Sequence, residues 1–287
     1  MSSSIAWAFA TSILGTFLVA PAGAETLAEL ASRTHFHGIA VTSTGSATLV
    51  VASHHGLYAV ERNGNVTAVS PVQDFMGFSP DPANPLGYYA SGHPESGGNS
   101  GVLHTGDGGN KWKQISEGLN GPVDFHQMDV SHADPKTIYG VYGALQVSRD
   151  GGLTWTEAGA PPEGLIAISA SSIGADLVYA ATQTGLQASS DSGKSWTQLP
   201  LGGAPVSMVK TSSSGRLYAF VVGRGFYGAN EQEPTDWTLL SDALGEHILL
   251  HFAVDPGNAN SLFATTAKNE VLESADGGKT WKMFGLR

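Results

Sequence analysis

The chain has no cysteine, so disulfides play no part in holding it together. It is poor in basic residues: 14 Lys plus Arg stand against 25 Asp plus Glu, for a net charge of −11. The basic residues are also thinly spread, which argues against nucleic acid or an anionic membrane surface as a partner. Long amphipathic helical patterns are missing from the body of the chain. The long apolar run lies at the start, from Ile5 to Val19, and it is short for a transmembrane helix.

That run belongs to a leader, Met1 to Ala24, which ends in Pro21-Ala-Gly-Ala24. Ala22 and Ala24 match an A-x-A cleavage site, so the segment reads as a signal peptide over 1–24, with a mature domain over 25–287 that is periplasmic or secreted. The segment departs from the usual pattern in having no Lys or Arg before the apolar run. A membrane anchor is the alternative; after cleavage no membrane association is expected.

Glycine and β-branched residues are plentiful. There are 37 Gly and 14 Pro in 287 residues, and short apolar runs between them read as many strands and many turns. Trp112, Trp155, Trp196, Trp237 and Trp281 recur about every 40 residues. Four of the five close one string: TGDGGNKW (105–112), SRDGGLTW (148–155), SSDSGKSW (189–196) and SADGGKTW (274–281). A period of this length is typical of propeller blades, small antiparallel sheets that cannot bury their faces alone.

Six apolar segments line up as innermost strands, beginning at His37, Met76, His126, Ile166, Val206 and His251. Each is followed by a turn, a second strand, a third strand and the repeat turn. Blade one carries a decayed turn at Glu61–Asn65, and blade five another at Asn230–Pro234 that keeps Trp237. The expected architecture is an all-β, six-bladed β-propeller in one domain.

The string S-x-D-x-G-x-T-W resembles the Asp-box, or BNR, repeat found in sialidases, sortilin-type receptor ectodomains, some xyloglucanases and the photosystem II assembly factor. The resemblance covers nearly the whole mature chain. It implies that Asp107, Asp150, Asp191 and Asp276 are structural and lie on the face opposite a functional site. An Asp can accept backbone N–H bonds in a tight turn, the Gly takes positive φ, and the Trp covers the gap between sheets. The strings HFHG (35–38), SHHGL (53–57), DFMGF (74–78), SGHP (91–94) and DFHQM (124–128) are similar to those of exported bacterial Asp-box propellers often labelled sialidases or glycosyl hydrolases.

The strand alignment also places chemistry. In an up-and-down blade the start of strand one and the end of strand two share a face. His35, His37, His54, His55, His93 and His126 therefore gather on one face of blades one to three, with His251 beside them once the ring closes. Asp74 and Asp124 stand two residues before Met76 and His126, on the same side by period-two geometry. Imidazoles are versatile metal ligands, and a thioether favours copper. The expected site is a metal centre at one mouth of the channel. His37, His126 and His251 are its direct ligands, and Met76, His35, His54, His55 and His93 are additional groups. Copper is the expected metal, with zinc as the alternative because Asp74 and Asp124 could serve it. The role would be metal handling or a metal-dependent oxidation; whether the protein is an enzyme stays open.

Two other classes compete. A glycoside hydrolase would need two carboxylates about 5 to 10 Å apart, for which Asp74 and Asp124 are the best pair. Sialidase chemistry in the resembling family uses three Arg to grip a carboxylate, and no such triad can be built here: Arg149 lies in a repeat turn, Arg62 in a decayed one, Arg287 is last, and Arg224 alone sits near the mouth. A scaffold resembling the photosystem II assembly factor would need a broad binding face and no converging histidines. The sequence identifies no substrate and no protein partner.

Overall fold

The structure, a computed structural model, describes residues 24–42 and 45–286. The leader reading falls on residues outside these, apart from its last position. Six four-stranded antiparallel sheets follow one another along the chain, each built from four consecutive strands. Their inner strands are Phe36–Val41, Phe78–Pro80, Gln127–Val130, Leu165–Ala170, Val206–Thr211 and Leu249–Asp255, and neighbouring inner strands abut around a ring. This is the six-bladed β-propeller that the repeat implied.

The second strands are short apolar runs bounded by turns, as expected of strands covered on both faces. Every residue of Val178–Thr182 is buried. The fourth strands face solvent; Thr156–Gly159 has no buried residue. The core is six clusters, one in each seam between blades. Phe75 and Tyr88 pack against Leu57 between blades one and two; Phe125, Val102 and Trp155 fill the next seam.

The repeat turns lock these seams. In blade three, Asp150 Oδ1 accepts the backbone N–H groups of Leu153 (3.1 Å) and Thr154 (2.9 Å), and Oδ2 accepts the Thr154 hydroxyl (2.6 Å). The Ser148 hydroxyl donates to the same carboxylate and accepts the Gly152 N–H. Asp107, Asp191 and Asp276 repeat the arrangement. The glycine is required by space as well as by φ: at Gly193 (φ +94°) a Cβ would meet Leu145 Cδ2 of the preceding blade at 2.1 Å. The tryptophan then reaches back into that same seam. The Trp112 and Phe75 rings pack in a tilted arrangement with centroids 4.6 Å apart, and those of Trp155 and Phe125 likewise at 4.9 Å. These turns follow the third strands; Gly108, Gly151 and Ser192 donate N–H bonds to the turns that join strands one and two, and Gly277 to Asn260 near the start of strand two. They thus sit on the face opposite the turns that join strands two and three.

Among the described residues no strand is exchanged between blades six and one, and another device closes the ring. The body of the chain shows no long helical pattern, but a short helix, Leu27–Arg33, fills this seam. Thr26 and Glu29 form a capping box at its start, an arrangement that contributes about 1 kcal/mol. Leu27 and Leu30 pack with Phe263 and Phe284. Asn269 donates to the carbonyls of Ala31 (2.7 Å) and Thr34 (2.6 Å) and accepts the Phe36 N–H (2.9 Å). Residues before the helix line the outer edge of blade one: Val66 donates to the Glu25 carbonyl and Leu27 to the Gly64 carbonyl, both at 2.8 Å. Among the described residues, no helix is long and apolar enough to cross a membrane.

Candidate metal centre

Three blades open with one short pattern. His35-Phe36-His37, Asp74-Phe75-Met76 and Asp124-Phe125-His126 each bury the central phenylalanine, with Phe75 and Phe125 fully inaccessible. A buried side chain of this size fixes the backbone on both sides of it. The flanking residues are consequently held at the mouth, where the turns between strands two and three also arrive. Those turns carry His54 and His55 in blade one and His93 in blade two.

The side chains gather into two groups. In one, Asp74 Oδ2 lies 3.0 Å from His54 Nδ1, and His54 Nε2 lies 2.9 Å from His37 Nε2. In the other, Asp124 Oδ2 lies 2.8 Å from His126 Nε2 and 3.1 Å from His93 Nε2. Within each group the donor atoms are all within 4.8 Å of one another, close enough to share an ion. Both groups follow one building rule. The histidine in the strand-two to strand-three turn of a blade lies over the aspartate that opens the next blade.

The histidine tautomers bear on chemistry. A carboxylate holds His54 Nδ1, which sets that nitrogen as the donor and leaves Nε2 with its lone pair toward His37. His93 Nδ1 faces the Gly98 carbonyl at 2.9 Å. A carbonyl only accepts, so Nδ1 carries the proton, and the Nε2 of a neutral His93 then turns a lone pair toward the Asp124 carboxylate. Either a second proton or a cation is required between them. The Gly98 carbonyl, with the Asp124 and Asp74 charges behind it, raises the His93 pKa. Asp74 Oδ1 and Asp124 Oδ1 are both buried without a hydrogen-bond partner, and Asp124 is only 6% exposed. Buried carboxylate oxygens left unpaired are costly.

Burial, and then the neighbouring imidazoles of His54, His251, His35 and His126, push His37 down to about 3. Burial likewise takes His251 down to about 4, against a hydrogen bond to the Phe36 backbone. Both are neutral near pH 7.

The structure thus brings His37 and His54 together, and His93 and His126 together, in separate groups. His251 belongs to neither. A β-bulge at the start of the inner strands of blades one, four, five and six, absent from blades two and three, explains part of this. In blade one the bulged residue is His37, between Phe36 and Gly38; in blade six it is Leu250, and His251 lies one step beyond. His251 still lines the channel. Met76 does too, with its backbone N–H on the Ser91 carbonyl at 2.8 Å. His35 is exposed and meets the His54 ring edge-on at 6.2 Å between centroids. His55 is exposed at the turn. His104 pairs with Asp81 and His247 with Glu270, away from both groups. Arg224 is held by the Gly202 carbonyl.

The channel as a whole encloses about 930 Å³, from the mouth residues His37, Met76, His126 and His251 to apolar walls that include Ile39, Phe78, Met128, Ile168 and Met208. Its far end holds a network the sequence reading missed. Asp129 is 3% exposed and accepts from Ser79 Oγ (2.9 Å), Ser169 Oγ (3.0 Å), the Ala170 N–H (3.0 Å) and the Lys210 ammonium. The visible signal was a charged residue inside each of two apolar strands, Gln127–Val130 and Val206–Thr211.

No protein-family model matches the chain, and no curated protein matches it. Solved structures do. A GH74 enzyme from Niastella koreensis is similar over 87% of this chain and 45% of its own, at 20% identity and a TM-score of 0.60. The GH74 xyloglucanase from Xanthomonas campestris is similar over the same shares, at 18% identity and a TM-score of 0.57. YCF48 bound to D1 peptide is similar over 88% of this chain and 81% of its own, at 16% identity and a TM-score of 0.54. The chain spans less than half the length of the two GH74 enzymes. Likeness at these identities is a likeness of fold: this chain is a β-propeller.

Proposed function

We propose that the protein is an exported metal-handling propeller that binds a transition-metal ion at the channel mouth, through His37 Nε2 and His54 Nε2. The carrying observation is the 2.9 Å approach of these two nitrogens with Asp74 behind His54. Two imidazoles bonded to one ion at about 2.0–2.1 Å, and at right angles, place their nitrogens about 2.9 Å apart. A right angle suits the tetragonal geometry of copper(II), whereas a tetrahedral zinc site spreads its ligands wider. Asp74 supplies the support that metal-bound histidines usually have: a carboxylate on the far ring nitrogen that sets tautomer and orientation. Copper is the metal favoured, and zinc the competitor.

Metal analysis of the tag-free protein tests this. Copper at about one equivalent, lost in His37→Ala plus His54→Ala with the fold retained, supports it. Wild-type protein that retains neither copper nor zinc after dialysis against the metal sinks it.

A second reading is a protein-assembly scaffold. It is favoured by the length match with YCF48, of whose chain 81% is covered. A peptide-binding propeller would use the mouth whether or not metal is present, so metal dependence separates the two readings.

A further inference from the structure

We infer that the mouth holds a second, chemically harder metal site at His93, Asp124 and His126, which takes a divalent cation such as Zn²⁺ alongside the copper at His37 and His54. This rests on the mouth being a metal site, and its argument is independent of the geometry at His37.

The three donor atoms lie within 4.8 Å of one another. His93 Nε2 and His126 Nε2 both point at one oxygen of Asp124, at 3.1 and 2.8 Å. The Gly98 carbonyl holds the proton of His93 on Nδ1. Without a cation, the neutral ring would set a lone pair against a carboxylate. A divalent ion removes that repulsion and gives Asp124 Oδ1, buried and unpartnered, a charge to face. The Gly98 bond then does for His93 what Asp74 does for His54: it orients the ring and leaves Nε2 for the ion.

The blade repeat states how the two sites differ. Met76 stands two residues after Asp74 as His126 stands two after Asp124, and the phenylalanine between is fully buried in both. Met76 and His126 both line the channel. Blade two thus carries a thioether at the register position where blade three carries an imidazole. Two imidazoles and a carboxylate are a three-ligand set of the zinc type, with a fourth position open to water. His126 is exposed, so that open position faces solvent.

The test uses tag-free, metal-stripped full-length protein, loaded with one equivalent of copper(II) and then titrated with Zn²⁺. The expected result is one further equivalent of zinc. Changes to groups that only orient a ligand cost about 10- to 100-fold in affinity, so His93→Ala or His126→Ala should weaken zinc by more than about a hundredfold. His37→Ala should weaken copper(II) and leave zinc unchanged. Thermal melting confirms that each variant folds. Three results overturn the inference: copper-loaded protein that takes up no zinc, zinc uptake unchanged in both histidine variants, or nitrogen chemical shifts in zinc-treated wild type showing both nitrogens of His93 protonated. Protein that binds no copper yet binds one zinc sensitive to His93→Ala would remove the His37 and His54 reading and leave this site standing.

Discussion

Asp129 of blade three holds Lys210 of blade five across the far end of the channel. The carboxylate also takes Ser79 from blade two and Ser169 and Ala170 from blade four, so one buried side chain ties four inner strands. Truncating one partner of a buried ion pair costs about 3–5 kcal/mol, because the other is left uncompensated. Asp129→Ala should destabilise by about that much in urea unfolding. Adding Lys210→Met should cost less than the sum of the two single changes. A loss under about 1 kcal/mol for Asp129→Ala would mean that the network does not hold the ring.

The helix at the closing seam is the next weak point. Leu30 is fully buried against blades one and six. Leu30→Ala should cost about 2–5 kcal/mol, read as a lower denaturant midpoint with copper affinity unchanged. An unchanged midpoint would show that blades six and one close without the helix.

The repeat turns titrate in acid. Hydrogen bonds from Thr154, through its side chain and backbone, hold Asp150 near about 2, and bonds from Ser195 do the same for Asp191. These folded values lie below the unfolded value of about 3.9. Their stabilisation is therefore complete above about pH 4 and lost as pH falls toward about 2. Wild type should lose melting temperature across that window, and Asp150→Ala should lose less of it while melting lower at neutral pH. Copper binding should be untouched, since the turns lie on the other face. A variant with wild-type melting and weak copper binding would reverse this assignment of the faces.

At the mouth, Asp74→Asn should weaken copper by about 10- to 100-fold, as removing the orienting carboxylate of a metal-bound histidine does elsewhere. The glycosidase alternative makes an opposite demand. It requires Asp74 and Asp124 free to act as acid and base, yet both are engaged by imidazoles. Metal-free protein should hydrolyse no xyloglucan or fluorogenic glycoside. Hydrolysis removed by Asp124→Asn would promote the carboxylates and displace the metal reading.

The number of blades, the repeat turns and their face, and the histidine-rich mouth on blades one to three were legible in the sequence. Each rests on periodic or local chemistry: a tryptophan about every 40 residues, a turn whose aspartate bonds only its own neighbours, and the two-residue alternation of a strand. Met76 and His126 could be paired by counting because Asp74-Phe75 and Asp124-Phe125 precede them identically. The partition of the donors was not legible. A bulge adds a residue to one strand and breaks the period-two count, and it falls at His37 in blade one but at Leu250 in blade six. His54 and His93 could be assigned to the mouth, but their nearest aspartates belong to the following blade, a relation between segments that meet only in the folded ring. The Asp129 network and the seam helix are of the same kind. Their partners are 81 residues apart for Lys210 and 238 for Asn269 and Ala31, and no local pattern encodes such separations. Local chemistry determined what each blade is; packing of six blades around one axis decided which side chains face one another.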